Sequence, residues 1–218
     1  MAKIISIQIG SVITVGDKDS TEFLTKEYTT ASYKQKVDGA VDVTKLSIVG
    51  DSVADTIHHG GVDKAIFVNS IFNYQSWKKF LDKDELPAAA LGENLTVEGI
   101  DESTVCIGDI YQIGGVKVEV SQPRQPCWKI SRRWEHNDFM KEIYNSGRTG
   151  WYFRVLEEGS FKAGDTIELV SQISDKITIL EANKALRDPK NHLELSNRLL
   201  SIDILAKAWY SSLKQKLS

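Results

Sequence analysis

The sequence predicts a mainly β (α+β) protein: a closed or nearly closed β-barrel with a few helices, followed by a small unit of three helices. Three observations lead to this fold class. Up to about residue 170, Gly, Asp or Asn separate short apolar segments, which is typical of many short strands. Only two stretches there have helical periodicity, and after Gln172 the helical period takes over. We therefore expect two domains, a barrel over residues 1–172 and a three-helix domain over residues 173–218.

The barrel domain contains nine predicted strands. Apolar and polar residues alternate along most of them, and turn residues stand at most of the breaks. Gly-Asp pairs recur and indicate turns, because glycine tolerates positive φ and aspartate caps the bend. The predicted strands cover residues 4–9, 33–37, 41–49, 65–68, 94–97, 110–113, 116–120, 151–156 and 166–170.

Two helices are expected within the barrel domain. After a capping Asn69 or Ser70, apolar residues recur at spacings of three and four over residues 74–81, which is the pattern of one helix face. A second helix is predicted to begin near Pro126 and to run toward Tyr144, with or without a break.

Residues 173–218 contain three amphipathic stripes. Apolar residues recur at helical spacing over 177–186, 193–200 and 204–213, and Pro189 ends the first stripe. Helices this short cannot bury a sufficient core by themselves. We therefore expect them to dock on the barrel or on another subunit, which leaves a homodimer open.

Composition and cysteine content exclude several classes of function. A net charge of −3 provides no basic face for stable nucleic-acid binding, and no segment approaches the roughly 20 apolar residues of a membrane span. The amino terminus lacks a signal-peptide pattern, and both cysteines are expected to be reduced thiols in a cytoplasmic protein. Two cysteines cannot build a four-cysteine cluster, and no dinucleotide-binding or phosphate-loop motif is present. A redox enzyme of this composition would take its electrons from outside the chain.

The segment V-S-Q-P-R-Q-P-C-W-K-I places one of the two cysteines on a stiff, basic corner. Pro126 suits the first position of a helix, which predicts that Cys127 lies in the first helical turn, near unpaired N–H groups. Arg124 and Lys129 add positive charge, and these influences favour the thiolate, the form that attacks or binds a metal. The alternative is a small buried hydrophobe. We expect that simpler role for Cys106, which stands between apolar neighbours.

A second polar stretch, G-D-S-V-A-D-T-I-H-H-G-G-V-D-K-A, favours an anion pocket. Gly60 and Gly61 let backbone N–H groups approach a ligand, and His59 and Lys64 supply positive charge. A metal site is the alternative, but adjacent His58 and His59 point in opposite directions in an extended chain, so only one could face it. A turn with a hydrogen-bonded histidine remains the simplest explanation of the histidine pair.

Two further features bear on a binding site. Gly92, Glu93 and Asn94 directly precede a predicted strand and offer an acceptor and an amide to a ring edge, although G-E-N alone is only a turn. Four aromatic residues either line a substrate pocket or belong to the core. These aromatic residues are Trp128, Trp134, Trp151 and Tyr152.

Taken in order, these stretches resemble the MOSC domain, named for the carboxyl-terminal domain of molybdenum cofactor sulfurases. The motifs are G-D-x-x-x-D at 50–55, H-G-G-x-x-K-A at 59–65, G-E-N-L at 92–95, I-G-D at 107–109, Q-P-R-x-P-C at 122–127 and G-W-Y-F-R-V-L at 150–156. The resemblance covers essentially the whole chain, because the tail is similar to the small 3-alpha domain of a bacterial branch that confers resistance to 6-N-hydroxylaminopurine. His58 departs from the pattern and leaves open which imidazole faces the pocket.

The resemblance implies a β-barrel that holds the molybdenum cofactor (molybdopterin), with Cys127 as the catalytic residue and the sulfur ligand of the metal. It implies reduction of a small N-hydroxylated substrate, a purine base or an amidoxime, with electrons from a partner reductase. The residues implied to bind the cofactor are Arg124, His59, Gly60, Gly61, Lys64, Gly92, Glu93 and Asn94. Two alternatives remain, a carrier of sulfur as a Cys127 persulfide and a carrier of the cofactor without redox turnover.

Overall fold

The computed structural model describes all residues from 1 to 218. The strands are β1 Lys3–Ile9, β2 Ile13–Val15, β3 Tyr28–Thr30, β4 Gln35–Val37, β5 Ala40–Val43, β6 Ile66–Ser70, β7 Leu95–Glu98, β8 Ile110–Ile113, β9 Val116–Pro123, β10 Trp151–Glu157, β11 Gly159–Lys162 and β12 Ile167–Ser171. The helices are α1 Phe72–Phe80, α2 Lys129–Arg133, α3 Phe139–Ser146, α4 Ile179–Arg187, α5 Leu193–Leu200 and α6 Lys207–Leu217, and a 3-10 turn covers Val62–Lys64. The chain is mostly β up to β12 and helical after it, as predicted.

Eight of the strands form one sheet in the order β12-β8-β9-β10-β6-β7-β1-β4. Neighbouring strands are antiparallel except β6 and β7, which run parallel and are connected through α1. Two short pairs, β11 with β5 and β2 with β3, lie outside this sheet.

The sheet is not closed into a barrel, so of the two predicted forms, closed or nearly closed, the closed form is wrong. Its edge strands are β12 and β4. Between β1 and the start of β12 there is an isolated bridge, from Lys3 to Thr166. Three backbone hydrogen bonds accompany it, from Ile4 N to Asp165 O (3.0 Å), from Gly164 N to Ile4 O (2.9 Å) and from Ile167 N to Ala2 O (2.9 Å). The residues of β1 from Ile7 onward pair with β4, which occupies the edge that continuous pairing with β12 would need.

One hydrophobic core joins the sheet to the carboxyl-terminal helices. Its 32 buried residues include Trp151 and Phe153 of β10 as well as Leu199 of α5 and Trp209 of α6. The helices therefore dock on the sheet, which is one of the two outcomes expected from their length. Whether residues 173–218 form a domain of their own stays a prediction. None of the helices has the length and apolar character needed to cross a bilayer.

Short strands and strand ends differ most from the prediction. The strand predicted over residues 41–49 ends at Val43, because a hydrogen bond from Thr44 N to Ser47 O (2.9 Å) turns the chain there. The sequence does not predict β2, β3 or β11, each of which has only three or four residues. Segments of this length contain too few alternations to establish a period of two.

Helix α1 begins later than predicted. Asn69 and Ser70, the predicted caps, are buried at the end of β6, and the first helical residue is Phe72. Asn69 is already satisfied, because its Oδ1 accepts a hydrogen bond from Asn73 Nδ2 (3.1 Å) and its Nδ2 donates to Glu93 Oε1 (3.3 Å). A buried amide with such partners serves the packing of the strand and does not cap the helix.

Candidate functional site

Cys127 lies in the short segment that connects β9 to α2. β9 ends at Pro123 and α2 begins at Lys129, so the helix predicted to begin near Pro126 starts three residues after it. Pro126 disfavours a helical backbone at Gln125, so the helix cannot begin before the proline. The N–H of Ile130 donates to Cys127 O (3.1 Å) as the first turn forms. Helix α2 has five residues and begins after the cysteine, so it gives no support to the expected helix-dipole effect on the thiol.

The half-buried Cys127 stands where two cavities meet. A cavity of about 120 Å³, here called the inner cleft, lies on the side of β6 and the segment 51–55. A cavity of about 460 Å³, here called the outer groove, lies on the side of α6. His59 and Lys64 border both cavities. The predicted site residues that line the inner cleft are His59, Lys64, Gly92, Asn94, Arg124 and Cys127.

Arg124 is a buried cation without a counter-ion. Its side chain is 7% exposed, it forms no ion pair, and its Nη1 has no hydrogen-bond partner. The guanidinium lies over the Phe67 ring, 5.2 Å from the ring centre, and Arg124 N donates to Gly150 O (3.0 Å), which fixes the backbone. Burial of an unpaired charge costs several kcal/mol, of the order of 2 or more even where water has access. The protein maintains this charge on the wall of the inner cleft, where an anionic ligand would neutralise it.

His59 is neutral at physiological pH, which corrects the expectation that it supplies positive charge. Burial lowers the pKa of His59 to about 4, with further lowering by the cations Arg124, Lys64 and Lys129. Lys64 also has a lowered pKa because of burial, and its Nζ donates to His58 O (2.5 Å). The inner cleft is therefore electropositive through its arginine and lysines, while the imidazole of His59 provides a neutral donor and acceptor.

The structure distinguishes the two adjacent histidines. His59 borders the inner cleft, whereas the exposed His58 pairs with the Asp55 carboxylate (Nδ1–Oδ2 3.0 Å). Gly60 and Gly61 do not line either cavity. Gly61 has a φ of 93°, a conformation that favours glycine, so its role is to let the loop turn toward the 3-10 segment.

Of the three G-E-N residues, Gly92 and Asn94 line the inner cleft, and Glu93 is buried behind them. Gly92 lines the inner cleft, and with a φ of 87° any Cβ there would lie 2.8 Å from Ser32 Cβ. Glu93 is fully buried behind the wall, where it accepts hydrogen bonds from Tyr74 Oη and from Leu91 N (2.9 Å). Asn94 lines the cleft, but hydrogen bonds within the protein already use its amide. The structure thus gives Glu93 no direct access to a ligand in the cleft.

A buried ion pair in the inner cleft was not predicted. Lys34 Nζ pairs with Asp51 Oδ1, and the two side chains are 7% and 5% exposed. Asp51 also accepts from Gly10 N (2.8 Å) and from Asn94 Nδ2 (2.8 Å). Burial lowers the pKa of Lys34, and Asp51 opposes that shift. Asp51 belongs to the G-D-x-x-x-D motif, which could have indicated it, but nothing in the local sequence around Lys34 indicates a site.

Two of the four candidate aromatic residues reach the site. Tyr152 lines both cavities, and Trp128, with 41% of its surface exposed, lines the outer groove. Trp151 belongs to the core, and Trp134 donates its Nε1–H to Ala90 O (2.9 Å) away from both cavities.

The second cysteine and the metal-site alternative have no part in the cavities. Cys106 is buried, as predicted, and burial together with Asp109 raises the pKa of its thiol to about 11. No three His, Cys, Asp or Glu side chains are grouped closely enough to hold a metal ion by themselves. His58 and His59 therefore do not assemble the tetrahedral protein site that the sequence left open.

Comparisons with known proteins agree with the motif pattern. The family model described as MOSC domain matches residues 55–168. The uncharacterized protein YflK of Bacillus subtilis is 36% identical over 94% of this chain and 92% of its own. A protein of Gibberella moniliformis named reductase is 36% identical over 74% of this chain, but the match spans only 29% of that longer protein. The crystal structure of YiiM from Geobacillus stearothermophilus superimposes with a TM-score of 0.82 and 29% identity over the full length of both chains.

Proposed function

Because the chain belongs to the MOSC domain family, we propose that it is a reductase of N-hydroxylated substrates that depends on the molybdenum cofactor. The observation that carries the proposal is the unpaired guanidinium of Arg124 beside the half-buried Cys127. This pair offers an anion site and a soft metal ligand on the same wall. The substrates would be N-hydroxylated purine bases and amidoximes, and the electrons would come from a partner reductase.

The residues of the inner cleft fit the charge of the cofactor. Its phosphate and metal oxo groups are anionic, and the cleft presents Arg124, Lys64 and Lys129. Cys127 would supply a soft sulfur ligand to the metal. A cavity of about 120 Å³ is smaller than the roughly 300–1,000 Å³ of typical ligand pockets, so it would enclose only the anionic part of a pterin-sized ligand.

The chemistry requires protons as well as electrons. Reduction of an N–OH bond to N–H consumes two electrons and two protons and releases the oxygen as water. The cofactor, when bound, would accept electrons from the external donor and deliver two to the substrate. Lys34 and Lys64 hold protons at Nζ on the cleft wall, and their lowered pKa makes both better acids than an ordinary lysine. The neutral imidazole of His59 has one protonated and one unprotonated ring nitrogen, so it can orient the substrate as a hydrogen-bond donor or acceptor.

The fungal relative supports the redox part of the proposal. That protein is named a reductase, and its matching region is a minor part of its length. For the present chain, an external donor remains a proposal that rests on the absence of a nucleotide-binding motif.

Metal analysis and turnover together test the proposal. Protein purified from a host that makes the cofactor should contain molybdenum and should reduce 6-N-hydroxylaminopurine and benzamidoxime with reduced methyl viologen as donor. Cys127→Ser should lose both properties, and the matched control Cys106→Ser should retain them because Cys106 is buried away from the cavities. Molybdenum at background in the wild type, without turnover, would reject the proposal. A stable adduct of one sulfur atom on Cys127 in such a sample would favour the persulfide carrier.

A further inference from the structure

The carboxyl-terminal helix α6 forms one wall of the outer groove. Ala208, Trp209 and Ser212 of α6 line it, and Cys127 and Trp128 lie on the opposite side. The tail therefore does more than cover the hydrophobic face of the sheet. It borders one of the two cavities that Cys127 lines.

This wall is held firmly in place. Trp209 is 1% exposed and belongs to the main core. At the start of α6, Ala206 N donates to Ser121 O of β9 (3.1 Å). Arg154 of β10 donates to Ile204 O (3.2 Å) through the same guanidinium that pairs with an acidic residue of the 3-10 turn. The helix thus has the rigid support that a specificity-determining surface needs.

The α6 side of the groove is shaped by small residues. Ala208 and Ser212 are one helical turn apart and present a methyl group and a hydroxyl where larger side chains would fill the groove. Opposite them are the indole of Trp128 and the ring of Tyr152. The volume of about 460 Å³ lies within the range of roughly 300–1,000 Å³ of small-molecule pockets. Aromatic faces with polar edges suit a planar ring that carries hydrogen-bonding groups.

We propose that the outer groove is the substrate route to Cys127 and that Ala208 and Ser212 set the largest substrate that can pass. The substrate class is a planar heterocycle or aryl amidoxime that bears the N–OH group. That identity rests on the proposed function, whereas the route to the thiol does not.

Alkylation of Cys127 tests the route without any turnover. The variants are Ala208→Phe and Ser212→Phe, and the control is Ser211→Phe, an exposed position of α6 outside the groove. The probes are iodoacetamide, which is small, and N-(1-pyrenyl)maleimide, which is bulky. Both groove variants should slow the bulky probe about tenfold and the small probe less than about twofold, because added side-chain volume excludes by size. Equal rates for the bulky probe in all four proteins would show that the inner cleft is the route and would overturn the proposal.

Turnover of two substrates distinguishes a failure of the proposed function from a failure of the proposed substrate route. Relative to the wild type, Ala208→Phe should lower kcat/KM for 6-N-hydroxylaminopurine about tenfold and for acetamidoxime less than about twofold. If no protein turns over either compound while the alkylation pattern holds, the proposed function fails and the route stands. If Ala208→Phe instead loses molybdenum while Ser211→Phe keeps it, the groove holds the cofactor and the proposal is wrong. Thermal unfolding of each variant checks that the helix remains folded, and Ser212→Phe replaces Ala208→Phe if it does not.

Discussion

Replacement of Arg124 by methionine should stabilise the ligand-free protein while abolishing its affinity for anions. The side chain is buried and unpaired, and methionine retains much of its length without the charge. In most proteins a buried arginine is engaged in ion pairs, and its removal destabilises the fold. Arg124→Met should have the opposite effect because the native protein lacks the counter-ion.

The magnitude follows from two opposing contributions. Removal of the uncompensated charge should gain about 2 kcal/mol, a low value for a buried ion because water reaches the cleft. Loss of the contact with the Phe67 ring should cost about 0.5–1 kcal/mol, as for other cation–π pairs. The net gain of about 1 kcal/mol corresponds to a rise in Tm of roughly 2–4 °C for a chain of this size.

Thermal unfolding with and without inorganic phosphate is the assay. The wild type should gain stability with phosphate, by about 2.7 kcal/mol when phosphate exceeds its Kd a hundredfold, and Arg124→Met should gain none. Arg198→Met is the control, because that arginine pairs with Asp175 on the surface and its loss should change stability by about 1 kcal/mol or less. A lower Tm for Arg124→Met in phosphate-free buffer would refute the reasoning, since the guanidinium would then be satisfied within the protein.

Three further predictions concern titration, reactivity and the support of the site. NMR titration should give His59 a pKa near 4. Because the ordinary pKa of about 6.5 applies in the unfolded chain, the free energy of unfolding should fall as the pH drops between these two values. Phosphate should raise the pKa of His59, and an unchanged pKa would contradict a nearby anion site. Iodoacetamide at neutral pH should modify Cys127 and spare Cys106, as peptide mass mapping can verify, because burial raises the pKa of the latter to about 11. Arg154→Met should lower the free energy of unfolding in urea by about 2–3 kcal/mol, since it leaves two part-buried carboxylates unpaired. The control Lys117→Met breaks a more exposed ion pair and should lower it by less than about 1 kcal/mol. Equal losses in the two variants would contradict the role of burial.

The sequence predicts well those elements that are long and periodic. The helical tail appears as α4, α5 and α6, and the alternating run from residue 116 appears as β9. Closure of the sheet was not predictable, because it depends on whether β4 or β12 takes the edge of β1, and both strands are plausible partners by pattern. The start of α2 was predicted too early because proline at the first helical position is only one of the conformations that a Pro-Cys corner can adopt.

The same distinction applies to the site. Arg124 and Cys127 stand in one contiguous motif and both line the inner cleft, because neighbouring residues restrict what the backbone can do. The pair of Lys34 with Asp51 joins residues 17 positions apart, and its significance arises only from folding. The charge of His59 was predicted wrongly because its pKa depends on burial and on three cations, two of which come from the distant stretch between β9 and α2.

The charge of the inner cleft differs in sign from the net charge of the whole chain. The chain as a whole carries a net charge of −3, yet four cations and two carboxylates line the inner cleft. One carboxylate, Asp51, is paired with Lys34, and the other, Asp55, contacts the imidazole of His58, so the cations in the lining outnumber the carboxylates by two. At physiological ionic strength, charges farther than about 8 Å are largely screened. We therefore expect an anion that enters the cleft to respond to this local excess of positive charge and not to the negative net charge of the chain.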